Sequence, residues 1–171
     1  MKIQKLSNAI HHLPEIAQWL HNDWGSLPPW ADLLRVRQNL EQRCTESPFP
    51  KCFIAASNTD ELLGTASLKI NELANHPDKT HWLGEVYVKS ELRGKGLGSL
   101  LTKTVADYAF AQGADRLFLY TPDQQALYAK LGWRVCGSEF INDESVNVMV
   151  RQAAESGLQK TIGQQQAGSL D

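Results

Sequence analysis

The chain has 171 residues, with 17 Lys and Arg against 19 Asp and Glu and a formal net charge of −2. A chain of this length buries roughly 70% of the surface its unfolded form exposes, enough for one domain, and 42% apolar with 21% charged residues excludes the disordered and collagen-like classes. The near-neutral balance argues against broad nucleic-acid binding, which demands a basic surface, and no run approaches the ~20 apolar residues of a membrane helix.

Ile3 and Leu6 alternate with polar residues in a short first strand. Pro14 suits a first helical turn, and Leu13, Ile16, Ala17 and Leu20 recur at helical spacing, so a helix spans Leu13 to His21 before Gly25 and Pro28-Pro29. A second helix runs from Asp32 to Cys44 with Leu33, Leu34, Val36 and Leu40 on its apolar side. Cys52 to Ala56 and Leu62 to Leu73 read as a hairpin around Ser57-Asn58-Thr59-Asp60, and Trp82 to Val88 as the next strand. Leu97 to Gln112 is a helix with Leu100, Leu101, Val105 and Tyr108 on one side, and Leu117 to Tyr120 is a strand covered on both faces. Thr121 as N-cap, Pro122 at the first position and Gln124 at the third predict a capped helix ending at Gly132. Trp133 to Cys136 and Val146 to Arg151 form a closing hairpin around Asn142-Asp143-Glu144. The strand-helix-strand crossover between Val88 and Tyr120 requires a parallel pair, so the fold class is α/β with a mixed sheet of six to seven strands and about four helices. One domain is expected over residues 1–151, with a mobile polar tail over 152–171.

Cys44, Cys52 and Cys136 form an odd set without a C-x-x-C pair, indicating neither a disulfide framework nor a zinc knuckle. Met1 to Leu20 offers no apolar core of the export type. A soluble cytoplasmic protein with reduced thiols is the expectation.

Chemistry is signalled by Arg93-Gly94-Lys95-Gly96-Leu97-Gly98, set between a strand and a helix. There the first-turn N–H groups lack partners and the helix dipole favours an anion. Glycine permits the positive φ that turns successive N–H groups inward, and Arg93 and Lys95 add charge. The run lacks the G-x-x-x-x-G-K-[ST] spacing of a P-loop, which argues against a nucleotide triphosphatase. A dinucleotide site wants G-x-G-x-x-G where this run has G-x-G-x-G, although Asp115 stands at a suitable distance for a ribose contact; that alternative stays open.

The same residues resemble the R/Q-x-x-G-x-G/A signature of the GNAT superfamily of acetyl-CoA-dependent N-acetyltransferases, and the element order from Met1 to Arg151 is similar to its fold. Leu127-Tyr128-Ala129-Lys130-Leu131-Gly132-Trp133 is similar to the Y-x-x-x-G-F/Y/W of the family's late helix. The resemblance implies that the pyrophosphate of acetyl-CoA, as co-substrate, lies on Arg93, Gly94, Lys95, Gly96, Leu97, Gly98 and Ser99. It also implies that the pantetheine arm pairs with Val86, Tyr87 and Val88, and that the strand Leu117 to Tyr120 splays away to leave the active site.

An alkyl amine of pKa ~10.4 is free base in only about one molecule in 2,500 at pH 7, so acetyl transfer needs a way to shed a proton. The resemblance implies Glu85 as the base, direct or through water, and Tyr128 as the acid that protonates the departing thiolate. A backbone N–H near Val86 or Tyr87 would meet the oxyanion. Glu85 as a solvated strand-end carboxylate and Tyr128 as a packed core tyrosine are the competing structural roles. Gln124 is assigned to capping, and His81 is a candidate proton relay near Glu85.

Asp23, Trp24 and Trp30 combine a carboxylate with aromatic faces and suit a cationic amine acceptor, although both tryptophans are equally suited to filling the core. His11, His12 and His21, and His76 with His81, fit no common metal-ligand spacing, and no carboxylate or thiol completes a set in the sequence, so no metal is expected. The expected function is N-acetyl transfer to a primary amine of a small molecule or peptide by a monomer or homodimer without nucleic-acid or membrane partners. A protein N-terminal acetyltransferase, whose actin-directed branch the segment Asp123 to Gly132 resembles, is an alternative. A non-catalytic acyl-CoA-binding module and a nucleotide-linked oxidoreductase are the others.

Overall fold

A computed structural model describes residues 1–154. The strands are β1 (Lys2–Lys5), β2 (Lys51–Ala56), β3 (Leu62–Ile70), β4 (His81–Val88), β5 (Arg116–Thr121), β6 (Arg134–Ile141) and β7 (Glu144–Gln152), and the helices are α1 (Leu13–Trp24), α2 (Leu33–Gln42), α3 (Leu97–Ala111) and α4 (Gln125–Lys130). They form one seven-stranded sheet in the order β1-β2-β3-β4-β5-β7-β6. Every neighbouring pair is antiparallel except β4 and β5, which α3 links in parallel. The mixed sheet and four helices agree with the sequence reading. None of the described helices is long and apolar enough to cross a membrane.

Two apolar layers sandwich the sheet. α1 turns Leu13, Ile16, Ala17 and Leu20 toward Val36 and Leu40 of α2 and toward Cys52 and Ile54 of β2, as the three-to-four-residue spacing requires. The Asp32 carboxylate caps α2 by accepting the N–H groups of Leu34 (2.9 Å) and Arg35 (3.4 Å). On the opposite face α3 buries Leu97, Leu101, Val105, Ala106 and Ala109 against Ala66, Leu68, Leu83 and Leu119. Leu100, expected inside, is 42% exposed, because the buried stripe follows 97, 101, 105 and 109, and Leu100 lies beside it.

At the end of β5, the Thr121 hydroxyl accepts the N–H groups of Asp123 (3.4 Å) and Gln124 (3.0 Å) as a cap would, yet the helix begins only at Gln125. Thr121 is still paired with Asn147 of β7, so the chain must first leave the sheet. The expected capping role of Gln124 is therefore not observed; no side chain caps α4. β6 and β7 are longer than expected because Asn142 (φ 51°) and Asp143 (φ 62°) make a tight turn of the hairpin type and let pairing reach Ile141–Glu144. Past β7 the Ala153 N–H still donates to the Asp115 carbonyl at 2.8 Å. Most of the segment expected as a mobile tail falls outside the described residues.

Candidate active site

β4 organises the site. Its antiparallel pairing with β3 shifts register between Thr65↔Tyr87 and Ser67↔Gly84, and Glu85, inside the shift, adopts φ 52°. Such a bulge bends the strand. On its other side β4 meets β5 at a single register pair, Trp82↔Phe118, and the two strands part beyond it. Where they part, a cavity of about 400 Å³ opens. Leu83, Gly84, Glu85 and Val86 form its β4 wall, Leu119, Tyr120 and Thr121 its β5 wall, and Tyr128 of α4 joins from the side.

The glycine loop stands at the end of β4 on the α3 side. Gly94 (φ 76°) and Gly96 (φ 90°) occupy the left-handed region, where a side chain is strained even though nothing would touch an added Cβ. The backbone can thus turn at these points and leave its outer surface clear for an anion. The Leu100 N–H is the first to bond back into the turn, to the Gly96 carbonyl at 3.0 Å. The N–H groups of Leu97, Gly98 and Ser99 are the donors that a helix start leaves for a ligand. Gly98 lies close to β4, where a Cβ would sit 3.7 Å from Val88 and 4.0 Å from Val86. Val86 thereby links the loop to the cavity.

Arg93 is held in place from three directions. Its Nε donates to the Val88 carbonyl at 2.9 Å, its guanidinium lies 5.1 Å from the centroid of the Tyr87 ring, and one Nη approaches Asp23 at 3.5 Å. Asp23, expected among the acceptor-binding residues, therefore stands beside the loop and is not among the residues lining the cavity. Trp24 and Trp30 do line it, packed edge to face at 5.2 Å, while Trp30 is also 91% buried in the α1–α2 layer. Trp30 thus belongs to the buried core and to the cavity lining at once.

Glu85 is neither solvated nor free. Its Oε2 accepts from Arg43 Nη2 at 2.8 Å and lies 3.3 Å from Lys69 Nζ, and its side chain is 4% exposed. Burial alone would raise its pKa; the Arg43 and Lys69 charges and hydrogen bonds overcome that and hold it at about 2, below the ordinary 4.5. Arg43 comes from the C-terminal end of α2, where its Nη1 also donates to Ser67 Oγ at 2.9 Å. Lys69 reaches from β3 and donates to Glu72 Oε1 at 2.6 Å, with its Nζ 5.9 Å from the Trp30 ring centroid. A second, more polar cavity of about 410 Å³ shares Trp30, Lys69, Glu72 and Glu85 with the first, so this charged cluster forms the partition between them.

Burial pushes the Tyr128 hydroxyl above the ordinary tyrosine range; for Tyr120, burial followed by the charges of Glu72 and Glu85 does the same. Both are held as proton-bearing phenols. His81 packs at a tilt against Phe49, with centroids 4.4 Å apart, and is absent from the residues lining either cavity, so the relay expectation finds no support. The sequence reading missed Arg43, Lys69, Glu72, Tyr120 and Asp123. Lys69, the one basic residue of the strand Leu62–Ile70, was the available signal.

The profile of the Acetyltransferase (GNAT) family matches residues 13–133. Among solved structures, an aminoglycoside 6'-N-acetyltransferase complexed with coenzyme A is similar over 91% of this chain and 99% of its own, with 16% identity and a TM-score of 0.69. A spermidine N-acetyltransferase from Vibrio cholerae is similar over 89% and 95%, with 17% identity and a TM-score of 0.67. A ribosomal-protein-alanine N-acetyltransferase from Brucella melitensis is similar over 90% and 100%, with 20% identity and a TM-score of 0.68. With the family profile spanning most of the chain on this fold, the protein belongs to the GNAT family of acetyltransferases.

Proposed function

We propose that the protein transfers acetyl from acetyl-CoA to a primary amine on a cationic small molecule or peptide. The observation that carries this reading is the parting of β4 and β5 into a cavity flanked by Val86 and Tyr128. Its lining includes the carboxylates of Glu72, Glu85, Asp123 and Glu144 against the one cation of Lys69, together with the rings of Trp24, Trp30 and Tyr120. A surplus of negative charge in a concave, partly apolar wall concentrates cations.

In this reading the outward amides of Leu97, Gly98 and Ser99, with the turn from Arg93 through Gly96, hold the donor's pyrophosphate, and the pantetheine arm lies along Val86, Tyr87 and Val88. The amine nitrogen attacks the thioester carbonyl carbon, and the oxyanion is met by the N–H of Val86 or Tyr87. The carbon–sulfur bond then breaks, and the Tyr128 hydroxyl gives its proton to the departing thiolate, regaining one from solvent. The proton lost by the amine passes to water at the cavity mouth. Glu85, with a pKa of about 2, is too weak a base to keep that proton. It acts as a positioning residue, fixing Lys69 in the cavity wall through the cluster both share with Arg43.

The test is thiol release from acetyl-CoA against polyamines, aminoglycosides, amino acids and short peptides with free N-termini. Turnover with polyamines or aminoglycosides supports the proposal. Turnover confined to peptide N-termini makes the protein an α-amino acetyltransferase. Acetyl-CoA binding without turnover on any amine makes it an acyl-CoA-binding module.

A further inference from the structure

We propose that His11, His12 and Asp60 form a binding site for one divalent transition-metal ion of the zinc, nickel or copper class. His11 Nε2 lies 2.7 Å from Asp60 Oδ2, and His12 Nε2 lies 2.9 Å from Asp60 Oδ1, so each imidazole addresses a different oxygen of one carboxylate. The ligand atoms all lie within 4.8 Å of one another. Asp60 is the carboxylate that the histidine spacing by itself did not reveal.

The fold assembles this set from two distant parts of the chain. The 3-10 turn Ile10–His12 leads into α1 and brings two consecutive rings to the same side, centroids 4.2 Å apart. Asp60 belongs to the β2–β3 turn and has φ 63°. Ser57 fixes that turn: its Oγ accepts from the N–H groups of Thr59 (3.2 Å) and Glu61 (3.0 Å), and its carbonyl accepts from the Asp60 N–H (3.0 Å). The His12 side chain is 6% exposed, whereas His11 and Asp60 are 60% and 57% exposed and leave an open side for water.

This chemistry suits a borderline metal. Imidazole nitrogen with one carboxylate oxygen is a zinc, nickel or copper donor set, and a three-ligand set leaves room for solvent. With metal–ligand bonds of about 2.0–2.1 Å, tetrahedral ligand atoms stand about 3.3 Å apart. The ion thus enters when the two contacts open by about half an ångström and each ring carries its proton on Nδ1 in place of Nε2. None of the three residues lines the cavity between β4 and β5. The bound ion would instead tie the start of α1 to the β2–β3 turn.

The test uses the full chain without an affinity tag, titrated with zinc chloride by calorimetry, with melting and histidine side-chain NMR alongside. The expected result is one equivalent of zinc and a melting temperature raised by about 5 °C at saturation. His11 and His12 imidazole signals should move while those of His21, His76 and His81 stay. H11A and D60N, both at exposed positions, should weaken binding at least tenfold, and H76A should bind like the parent. Absence of binding up to millimolar zinc, equal binding by D60N, or movement of the other histidines instead would overturn the proposal.

Discussion

Replacing Glu85 by Gln keeps the shape of the side chain but strips the counter-charge from Arg43 and Lys69, whose side chains are 7% and 14% exposed. A carboxyl that titrates at about 2 in the folded protein, against an ordinary 4.5, contributes about 3 kcal/mol of stability at neutral pH. That agrees with the ~3–5 kcal/mol lost when one partner of a buried ion pair is removed. Because the folded pKa is the lower one, this stability is present in full above the unfolded value and is lost as pH falls from 4.5 toward 2. Urea unfolding of E85Q and the parent, followed by tryptophan fluorescence, should show a gap of about 3 kcal/mol at pH 7 that shrinks by more than half by pH 3. A gap below about 1 kcal/mol at pH 7, or one that does not change with pH, refutes the ion-paired assignment of Glu85.

Tyr128→Phe should lower kcat by about 10²-fold or more with the KM for acetyl-CoA nearly unchanged, as steady-state thiol release will measure; an unaltered kcat removes the acid role. Gly96→Ala forces a side chain to φ 90° and should cost about 1–2 kcal/mol in melting experiments while raising the donor KM, since the strain falls on the turn that presents the amides. Glu72→Gln should raise the KM for a cationic acceptor by about tenfold or more and leave donor binding unchanged, because it removes a charge-assisted contact and frees Lys69 to repel the amine. The pH profile of kcat/KM should rise with the free-base fraction of the acceptor and show no inflection attributable to Glu85, whose titration lies near 2.

The elements with strong periodicity were legible from composition and spacing. α1 announced itself through Leu13, Ile16, Ala17 and Leu20, and the glycine run through its place between β4 and α3. The start of α4 was misread because Thr121-Pro122-Asp123-Gln124 carries helix-start chemistry while Thr121 is still committed to a ladder with β7, a long-range constraint that no local pattern records. The charged cluster was invisible for a related reason. Arg43 ends a helix, Lys69 sits in a strand and Glu85 in a bulge, and only the fold, by setting the end of α2 against β3 and β4, brings them within bonding distance. Asp23 was assigned by composition to the acceptor, yet its carboxylate turns to Arg93 while the next residue, Trp24, lines the cavity. Asp60 and the two histidines, separated by 48 and 49 residues, are paired only by the fold.

The single register pair between β4 and β5 leaves the sheet an unfinished ladder. Main-chain groups of β4 past Trp82 face a neighbour that has moved out of reach, and a ligand bearing amides of its own can supply the missing rungs. On the reading given above, donor entry is strand addition, and its imprint is directional. Amide hydrogen exchange should slow at Val86 and Val88 when acetyl-CoA binds and stay the same at Trp82, where the protein has already closed the sheet.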